Sequence, residues 1–233
     1  MPYRRLPNTD QARLRALKAA LEKGRQNYPY DLAYPQQLYL DIQSVLPQFE
    51  QVVAQYQFSK DRQAKYGRLL ADQFKEARIY VSHFVQVLNF CIIRKEIKPE
   101  VRKMFGLDVN DKSVPDLSTE QLLLHWGKKV VEGEERRMMS GGTRIYNPSI
   151  ALVKVKFEKF VEYFNNHKNL LQTTQKMHDK VVDMRDRIDH LIVKIWNGVE
   201  ESFSDLPDDQ RRSECAHYGV VYMYRKDEKS ASM

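Results

Sequence analysis

Two long stretches of this sequence keep a helical apolar stripe with almost nothing to end a helix. The first runs from about residue 36 to 96, and Pro47 and Gly67 are its strongest helix breakers. The second follows Asn147-Pro148 and runs to about Ser204. In both, apolar side chains recur at spacings of three and four residues, which is the period of an amphipathic helix. The sequence therefore predicts an all-α fold, a helical bundle of long antiparallel helices.

Each long stretch allows two arrangements, one continuous helix or a helical hairpin. The first stretch is polar between Ser59 and Lys65, so a turn near residues 59–61 would fold it back on itself. Unbroken, it would be roughly 90 Å long at 1.5 Å per residue. Glycine and proline number only 9 each among 233 residues, and this scarcity favours long, bent helices. Pro47 is expected to begin a helix or to kink one.

Shorter helices with start and stop signals flank the long stretches. Thr9 can cap the first of them, and Gly24 is predicted to end it. Ser118, with a glutamine three residues later, is typical of a capping box and predicts another helix start. Proline and glycine bracket two more short helices, over residues 99–106 and 207–219.

The two halves of the sequence match each other when one is shifted along the other. An ungapped shift of 108 residues pairs Ile42 with Ile150, Val45 with Val153, Phe49 with Phe157, Asn89 with Asn197 and Pro99 with Pro207. Upstream, a shift of 109 pairs Thr9 with Ser118 and Gly24 with Gly133. Chance similarity between amphipathic helices explains the apolar matches, but it explains the prolines and the order of elements less easily.

We therefore predict a helical module that is present twice. The first helical repeat covers residues 1–117 and the second covers residues 118–226, and the two pack as one bundle with pseudo-two-fold symmetry. Residues 227–233 are predicted to form a mobile tail. Shortly before this tail, residues 220–224 form the one β-like run, which is too short to make a sheet alone.

The sequence contains no stretch that is apolar enough to span a membrane. Apolar runs such as residues 90–93 and 122–124 fall far short of the ~20 residues that a bilayer requires. The first residues lead into a polar segment without the apolar core of a signal peptide. The two cysteines, Cys91 and Cys215, are more typical of reduced thiols than of a disulfide framework, and Cys91 lies among apolar residues that make a thiol inert. We therefore predict a cytoplasmic protein.

No set of residues predicts a catalytic, metal or cofactor site. The Glu-x-x-His spacing of carboxylate metal sites occurs at Glu214 and His217, without the second copy that such bundles use. The other candidate metal ligands are the helical histidines His83, His167, His178 and His190. His83 lies within the apolar stretch from Val81 to Leu88 and is expected in the core or at its boundary, whereas the other three are expected to be exposed.

Positive charge is concentrated at the N-terminus. Residues 1–25 carry seven basic and two acidic side chains, a net charge of +5 out of the chain's +7. The candidates for contacts with nucleic-acid phosphates or another anion are Arg4, Arg5, Arg13, Arg15 and Lys18. No helix-turn-helix spacing or aromatic stacking set accompanies them. The alternatives are a solvated basic face and pairing with the protein's own acidic side chains.

Both ends of the chain carry recognisable segments. Residues 2–10 read PYRRLPNTD and continue through ARLRAL, and residues 218–222 read YGVVY. In these segments the chain resembles an uncharacterised family of bacterial all-helical proteins, and the likeness would span nearly the whole chain. The resemblance implies an all-helical fold and implies no activity, cofactor or binding residue.

The sequence predicts no chemistry, and its amphipathic helices favour a role in binding. The principal hypothesis is a non-enzymatic helical scaffold or interaction protein that binds a protein partner or associates with itself. The first alternative is nucleic-acid binding through the basic N-terminal arm and first helix. The second is a metal-dependent bundle enzyme that uses His83, His190 or the pair Glu214 and His217. No membrane partner is expected.

Overall fold

The computed structural model describes residues 2–224, and this part of the chain is all-α, which confirms the predicted helical bundle. The bounds of its helices are Asp10–Asn27 (α1), Gln36–Ile93 (α2), Pro99–Phe105 (a 3₁₀ helix), Glu120–Met139 (α3), Ile150–Ser202 (α4) and Asp208–His217 (α5). Two short strands, Tyr3–Arg4 (β1) and Tyr222–Met223 (β2), pair antiparallel. The predicted mobile tail, residues 227–233, lies outside the described residues.

The long stretches are each one continuous helix, which decides between the two predicted arrangements. α2 has 58 residues and α4 has 53. Pro47 lies inside α2 and does not begin it. The polar segment from Ser59 to Lys65 is helical throughout, because it lacks glycine and proline and is rich in good helix formers. No helix among the described residues is long and apolar enough to cross a membrane.

The chain divides into two compact units, and one of them is built from two segments that are far apart in the sequence. Of the described residues, the unit that we call terminal contains 2–60 and 173–224, and the unit that we call central contains 61–172. α1, α5 and parts of α2 and α4 belong to the terminal unit, whereas the 3₁₀ helix, α3 and the remaining parts of α2 and α4 belong to the central unit. Each unit thus draws on both predicted repeats, 1–117 and 118–226, and the repeat itself stays a prediction.

Each unit has its own apolar core. The largest buried side chains of the terminal unit include Leu17, Ile42, Phe49, Trp196 and Tyr218. Those of the central unit include Phe84, Leu88, Phe105, Leu123 and Phe160. A large apolar side chain that is fully buried contributes roughly 1.5–3 kcal/mol. Apolar burial of this kind holds the helix segments of each unit together.

Within each unit, the segments of α2 and α4 run antiparallel, as predicted. In the terminal unit, the hydroxyl of Thr174 donates to the backbone oxygen of Ser59 (3.3 Å), and the rings of Tyr56 and His178 are 5.3 Å apart. The central unit has the pairs Tyr66 with Tyr163 (ring centroids 5.8 Å apart) and Glu76 with Lys156 (2.7 Å). In both units, the residue number on α4 falls as the number on α2 rises.

Threonine caps both α1 and α3. The hydroxyl oxygens of Thr9 and Thr119 each accept a hydrogen bond of 3.2 Å from the backbone N–H three residues on. The predicted cap Thr9 is confirmed, and the predicted cap Ser118 is wrong by one residue. Ser118 instead donates its hydroxyl to Asp116 (3.0 Å). Both residue types are good caps, and the turn around Asp116 decides between them.

Gly24 does not end α1, contrary to the prediction. The helix continues to Asn27, and Gly24 is buried inside it against two tyrosines. The hydroxyl of Tyr34 donates to the backbone oxygen of Ala20 (2.7 Å), which fixes the ring over this part of α1. A Cβ at position 24 would overlap that hydroxyl and would lie 3.0 Å from the ring of Tyr39. The glycine therefore permits close packing and is not a stop signal.

The residue that turns the chain after α2 is in the left-handed region. Lys95 has φ of 62°, and the backbone N–H groups of Glu96 and Ile97 both donate to the oxygen of Cys91 (2.9 and 3.3 Å). Glycine is usual at such a helix end because it has no Cβ. For other residues the left-handed conformation costs about 1–2 kcal/mol. Lys95 is therefore a strained position in the central unit.

Replacing Lys95 with glycine is expected to raise the free energy of unfolding by about 1 kcal/mol, because glycine removes this strain. Urea denaturation followed by far-UV circular dichroism measures the change. Lys98, with φ of −71°, is the matched control. Lys98→Gly should not stabilise the protein, since it only adds freedom to the unfolded chain. A Lys95→Gly variant no more stable than the parent protein would contradict the strain argument.

Candidate functional site

The residues proposed as metal ligands do not converge. Among residues 2–224, no group of three or more His, Cys, Asp or Glu side chains could hold a metal ion. His217 is exposed on α5, and Glu214 is only partly buried. His190 is exposed, as predicted, and its Nδ1 lies 2.7 Å from the backbone oxygen of Asp186.

His83 is exposed, so its predicted place in or beside the core is wrong. The periodicity of α2 explains the error: Val81, Phe84 and Leu88 are fully buried on one side of the helix, and position 83 falls on the opposite side. His167 and His178 are half-buried and not exposed as predicted, because α2 packs beside them.

Both cysteines are free and buried. Burial raises the pKa of the Cys91 thiol and also that of the Cys215 thiol. A raised pKa lowers the thiolate fraction, and the thiolate is the reactive form. Cys91 belongs to the apolar core of the central unit, but its sulfur also accepts a hydrogen bond from Arg94 (3.5 Å), so the prediction of apolar surroundings holds only in part.

Arg13 belongs to a cluster of two arginines and two aspartates in the terminal unit. Its guanidinium donates to both carboxylate oxygens of Asp189 (2.7 and 2.8 Å) and to Asp10 (3.3 Å). Arg185 donates to both oxygens of Asp10 (2.9 Å each). The hydrogen bond to Asp189 raises the pKa of Arg13. Arg13 is therefore engaged by the protein's own carboxylates.

Arg4 and Lys18 are also paired internally. Arg4 donates to the carboxylate of Glu200 (2.9 Å) and to the side-chain oxygen of Asn197 (2.8 Å). Lys18 forms an ion pair with Glu50. Three of the five basic residues proposed for anion contacts thus follow the alternative of pairing with the protein's own acidic side chains.

Arg5 and Arg15 instead line a cavity of the terminal unit, which we call the terminal cavity. It has a volume of about 460 Å³ and lies between residues 5–9, the first turns of α1, Trp196 and residues 219–223. Both arginines are exposed, and neither forms an ion pair with another described residue. The structure thus brings together two of the predicted site residues at one concave surface.

Pairing between the two ends of the chain shapes the terminal cavity. The backbone N–H of Arg5 donates to the oxygen of Val221 (2.8 Å) and extends the pairing of β1 with β2. Gly219, with φ of 85°, packs so closely against α1 that a Cβ would lie 3.0 Å from the backbone oxygen of Ala16. A larger residue at 219 would therefore push residues 220–223 away from α1.

The terminal cavity combines positive charge with apolar walls. Arg5 and Arg15 are the charged residues among those described that line it, and none of its lining residues is acidic. The first backbone N–H groups of α1 add the partial positive charge of a helix N-terminus. Leu6, Trp196 and Val221 supply apolar surface. Such a site suits an anionic group that is attached to an apolar chain or ring.

Sequence reasoning identified the two arginines of this site and missed its apolar wall. Trp196 and residues 219–223 are far from the N-terminus in sequence. The β-like run at 220–224 is the local signal of a strand, but its partner Tyr3–Arg4 is too short to show any pattern. The apolar wall therefore depends on the pairing of β1 with β2, which no local sequence pattern predicts.

Comparisons with protein-family models, with curated proteins and with solved structures found no match to this chain. The resemblance of its end segments to a bacterial all-helical family stays a prediction. The geometry of the terminal cavity is therefore the basis of the functional proposal.

Proposed function

We propose that this chain is a non-enzymatic interaction protein whose helical framework presents the terminal cavity to a protein partner. The partner inserts a carboxylate, such as the one at its C-terminus, with apolar side chains beside it. The observation that carries this proposal is the presence of Arg5 and Arg15 at one cavity that no acidic residue of the range 2–224 lines. Capture of a terminal carboxylate beside apolar contacts is a recurring mode of peptide recognition.

The neighbouring arginines make the lack of acidic partners informative. Arg4, Arg13 and Arg185 each form an ion pair with a carboxylate of the terminal unit. Arg5 and Arg15, on the same segment of chain as Arg4 and Arg13, have no such partner among the described residues. A guanidinium can bind a carboxylate through two parallel hydrogen bonds, and this gives both affinity and orientation. A carboxylate from a partner would supply the missing pairing.

The residues around the cavity hold it in a defined shape before any partner binds. Tyr222 donates its hydroxyl to Glu200 (2.6 Å), and Glu200 also holds Arg4. Burial and this hydrogen bond raise the pKa of Tyr222. The strand pair β1–β2 is thereby tied to α4 by side chains as well as by packing. A preformed site loses less entropy on binding than a mobile one.

The internal ion pairs weaken the nucleic-acid hypothesis, which stays a prediction. Binding of a phosphate backbone grows with the number of cations that it meets. Arg4, Arg13 and Lys18 are already engaged by carboxylates, so Arg5 and Arg15 are the members of the predicted set that remain. Two cations at a cavity suit the binding of a single anionic group better than the binding of the continuous phosphate backbone of a nucleic acid.

Trp196 fluorescence tests the proposal directly. The chain has two tryptophans, so Trp196 is the single tryptophan of a Trp126→Phe variant, and it lines the terminal cavity. In that background, an apolar N-acetylated pentapeptide with a free C-terminal carboxylate is expected to change the emission. The C-terminal amide of the same peptide should bind about tenfold more weakly or worse, because a charge-assisted hydrogen bond contributes about 1.5–3 kcal/mol.

Two substitutions and one matched control locate the binding. Arg5→Gln and Arg15→Gln should each weaken binding of the carboxylate peptide about tenfold. Arg25→Gln should leave it unchanged, because Arg25 is exposed on α1, pairs only loosely with Glu22 (3.8 Å) and does not line the cavity. Equal losses in all three variants, or no response to either peptide, would refute the proposal. Binding of decanoate without binding of the peptide would assign the cavity to a small ligand instead of a protein partner.

We also infer that the chain arose by duplication of one helical module. Each predicted repeat has a threonine-capped helix, a long helix and a short helix, and each short helix is followed closely by a glycine with positive φ. The equivalent residues Asn89 and Asn197 each accept a hydrogen bond from an arginine, Arg102 and Arg4 respectively. These shared details are not apolar spacing, so chance similarity of amphipathic helices explains them poorly.

The proposed location is the cytoplasm. Its support is that Cys91 and Cys215 are both free and buried, and disulfides are rare in that compartment.

A further inference from the structure

A second cavity, which lies in the central unit and which we call the central cavity, is strongly basic. It has a volume of about 550 Å³ and lies between the end of α2, the 3₁₀ helix and residues 109–112. The cations that line it are Lys95, Lys98, Arg102 and Lys112. None of its lining residues among those described is acidic. It shares no lining residue with the terminal cavity.

Arg102 is the buried cation of this cavity, with 2% of its surface exposed. Its guanidinium donates to the backbone oxygens of Asp108 (2.5 Å) and Ser113 (3.3 Å) and to the side-chain oxygen of Asn89. All three acceptors are neutral, and no described carboxylate forms an ion pair with Arg102. Burial lowers the pKa of Arg102, and the charges of Asp111 and Asp108 raise it. A buried cation without a direct ion pair is costly to maintain.

Hydrogen bonds fix Arg102 at the cavity wall. Asn89, on α2, accepts from Arg102 and donates to the backbone oxygen of Lys112 (2.9 Å). Asn89 thus joins α2, the 3₁₀ helix and the loop that carries Lys112. The three bonds of Arg102 use three of its five guanidinium N–H groups. The site therefore has a rigid donor at its base.

Strain in the backbone brings a further cation to the same place. Lys95 is in the left-handed conformation, where glycine would be less strained, and its side chain lines the cavity. Lys98 and Lys112 are exposed and line it as well. Non-glycine residues with positive φ concentrate at functional sites, where the strain serves a purpose. A positively charged residue at this turn is consistent with such a purpose.

We propose that the central cavity binds the phosphate group of a small phosphorylated molecule. Arg102 provides the fixed guanidinium that orients the phosphate oxygens, and the three lysines add mobile point charges around it. Ile92 and Pro99 also line the cavity and contact the apolar part of the molecule. A bound phosphate supplies the direct ion pair that Arg102 lacks among the described residues.

Pyrophosphate is the probe that tests this site. Isothermal titration calorimetry on the full chain is expected to show binding of one pyrophosphate, accompanied by a rise in the melting temperature. The double variant Lys98→Gln/Lys112→Gln should weaken this binding by at least about tenfold, since two charge-assisted contacts are lost. Both lysines are exposed, so the variant should keep the fold.

The matched control removes the same charge from the same unit. Lys103 and Lys128 are exposed residues of the central unit that do not line the cavity, and Lys103→Gln/Lys128→Gln should bind pyrophosphate as the parent protein does. Lys95→Gly gives an independent readout, because it should weaken binding while it stabilises the protein. A purely structural role of Lys95 would leave binding unchanged.

Four results would overturn the proposal. The first is no heat of binding and no rise in melting temperature with millimolar pyrophosphate. The second is binding to Lys98→Gln/Lys112→Gln as tight as to the parent protein. The third is an equal loss in the control pair, which would indicate unspecific attraction to positive charge. The fourth is equally tight binding of citrate, which would indicate a carboxylate site instead of a phosphate site.

Discussion

Glu134→Ala is expected to lower the free energy of unfolding by about 3–5 kcal/mol, because it leaves a buried arginine without its partner. Glu134 and Arg137 lie one turn apart on α3 and are 1% and 3% exposed. Arg137 donates to both carboxylate oxygens of Glu134, at 2.7 Å each, and also to the backbone oxygen of Thr143. Urea denaturation followed by far-UV circular dichroism measures the loss.

A double variant separates the burial of charge from the loss of packing. Glu134→Leu combined with Arg137→Met should recover most of the stability, since apolar residues of similar size remove the need for a counter-charge. Glu132→Ala is the control on the same helix, because Glu132 is largely exposed and pairs with Lys128 at only 3.8 Å. Its effect should stay within about 0.5 kcal/mol. A Glu134→Ala loss no larger than that of the control would contradict the prediction.

Gly133→Ala is expected to destabilise the protein by about 2–3 kcal/mol, although alanine is the better helix former. A Cβ at position 133 of α3 would lie 2.6 Å from the ring of Phe105 and 2.9 Å from the backbone oxygen of Met104. Because a backbone atom of the 3₁₀ helix is among the contacts, rotation of a side chain cannot relieve the overlap. The melting temperature and the urea midpoint should both fall.

Gly67→Ala is the matched control and should have the opposite sign. Gly67 is also inside a long helix, but the nearest atom to a Cβ there is Nε2 of His167, at 3.5 Å, which is an ordinary contact. The substitution should therefore stabilise the protein by about 0.5–1 kcal/mol through helix propensity. If both alanine variants were stabilised, close packing of the 3₁₀ helix against α3 would be refuted.

The two binding proposals can fail independently. The terminal cavity depends on Arg5 and Arg15, and the central cavity depends on Arg102 and its lysines. Arg15→Gln should weaken binding of the carboxylate peptide and leave pyrophosphate binding unchanged. Lys98→Gln/Lys112→Gln should have the reverse pattern. A variant of one site that abolished binding of both the carboxylate peptide and pyrophosphate would indicate loss of folding and not loss of a contact.

The candidate site was predictable only as far as its charges are local in sequence. Arg5 and Arg15 stand out because they lie in a strongly basic segment, but so do Arg4 and Arg13. Which arginines are paired depends on carboxylates such as Asp189, far along the chain. The central cavity was missed altogether, because its cations are scattered through a region whose charges nearly balance. The net charge of a segment does not indicate which of its side chains form ion pairs and which line a cavity.

The helix ends were likewise predictable only where the groups that decide them are close in the sequence. Thr9 is a correct cap because capping involves groups only three residues apart. Gly24 was misinterpreted as a stop because its role is set by Tyr34 and Tyr39, which the local pattern does not include. Ser118 and Thr119 are equally good caps by residue type, and a turn with Asp116 decides between them.

The sequence by itself determined the all-α class, the two long amphipathic helices and the threonine cap at Thr9, because these follow from apolar periodicity and local hydrogen bonds. Only the tertiary structure decided that α2 and α4 are continuous, that the compact units combine distant segments, and that Arg102 is buried without a direct ion pair to a described carboxylate. The physical reason is that burial and ion pairing depend on residues far apart in the chain, whereas a helix needs only its own neighbours.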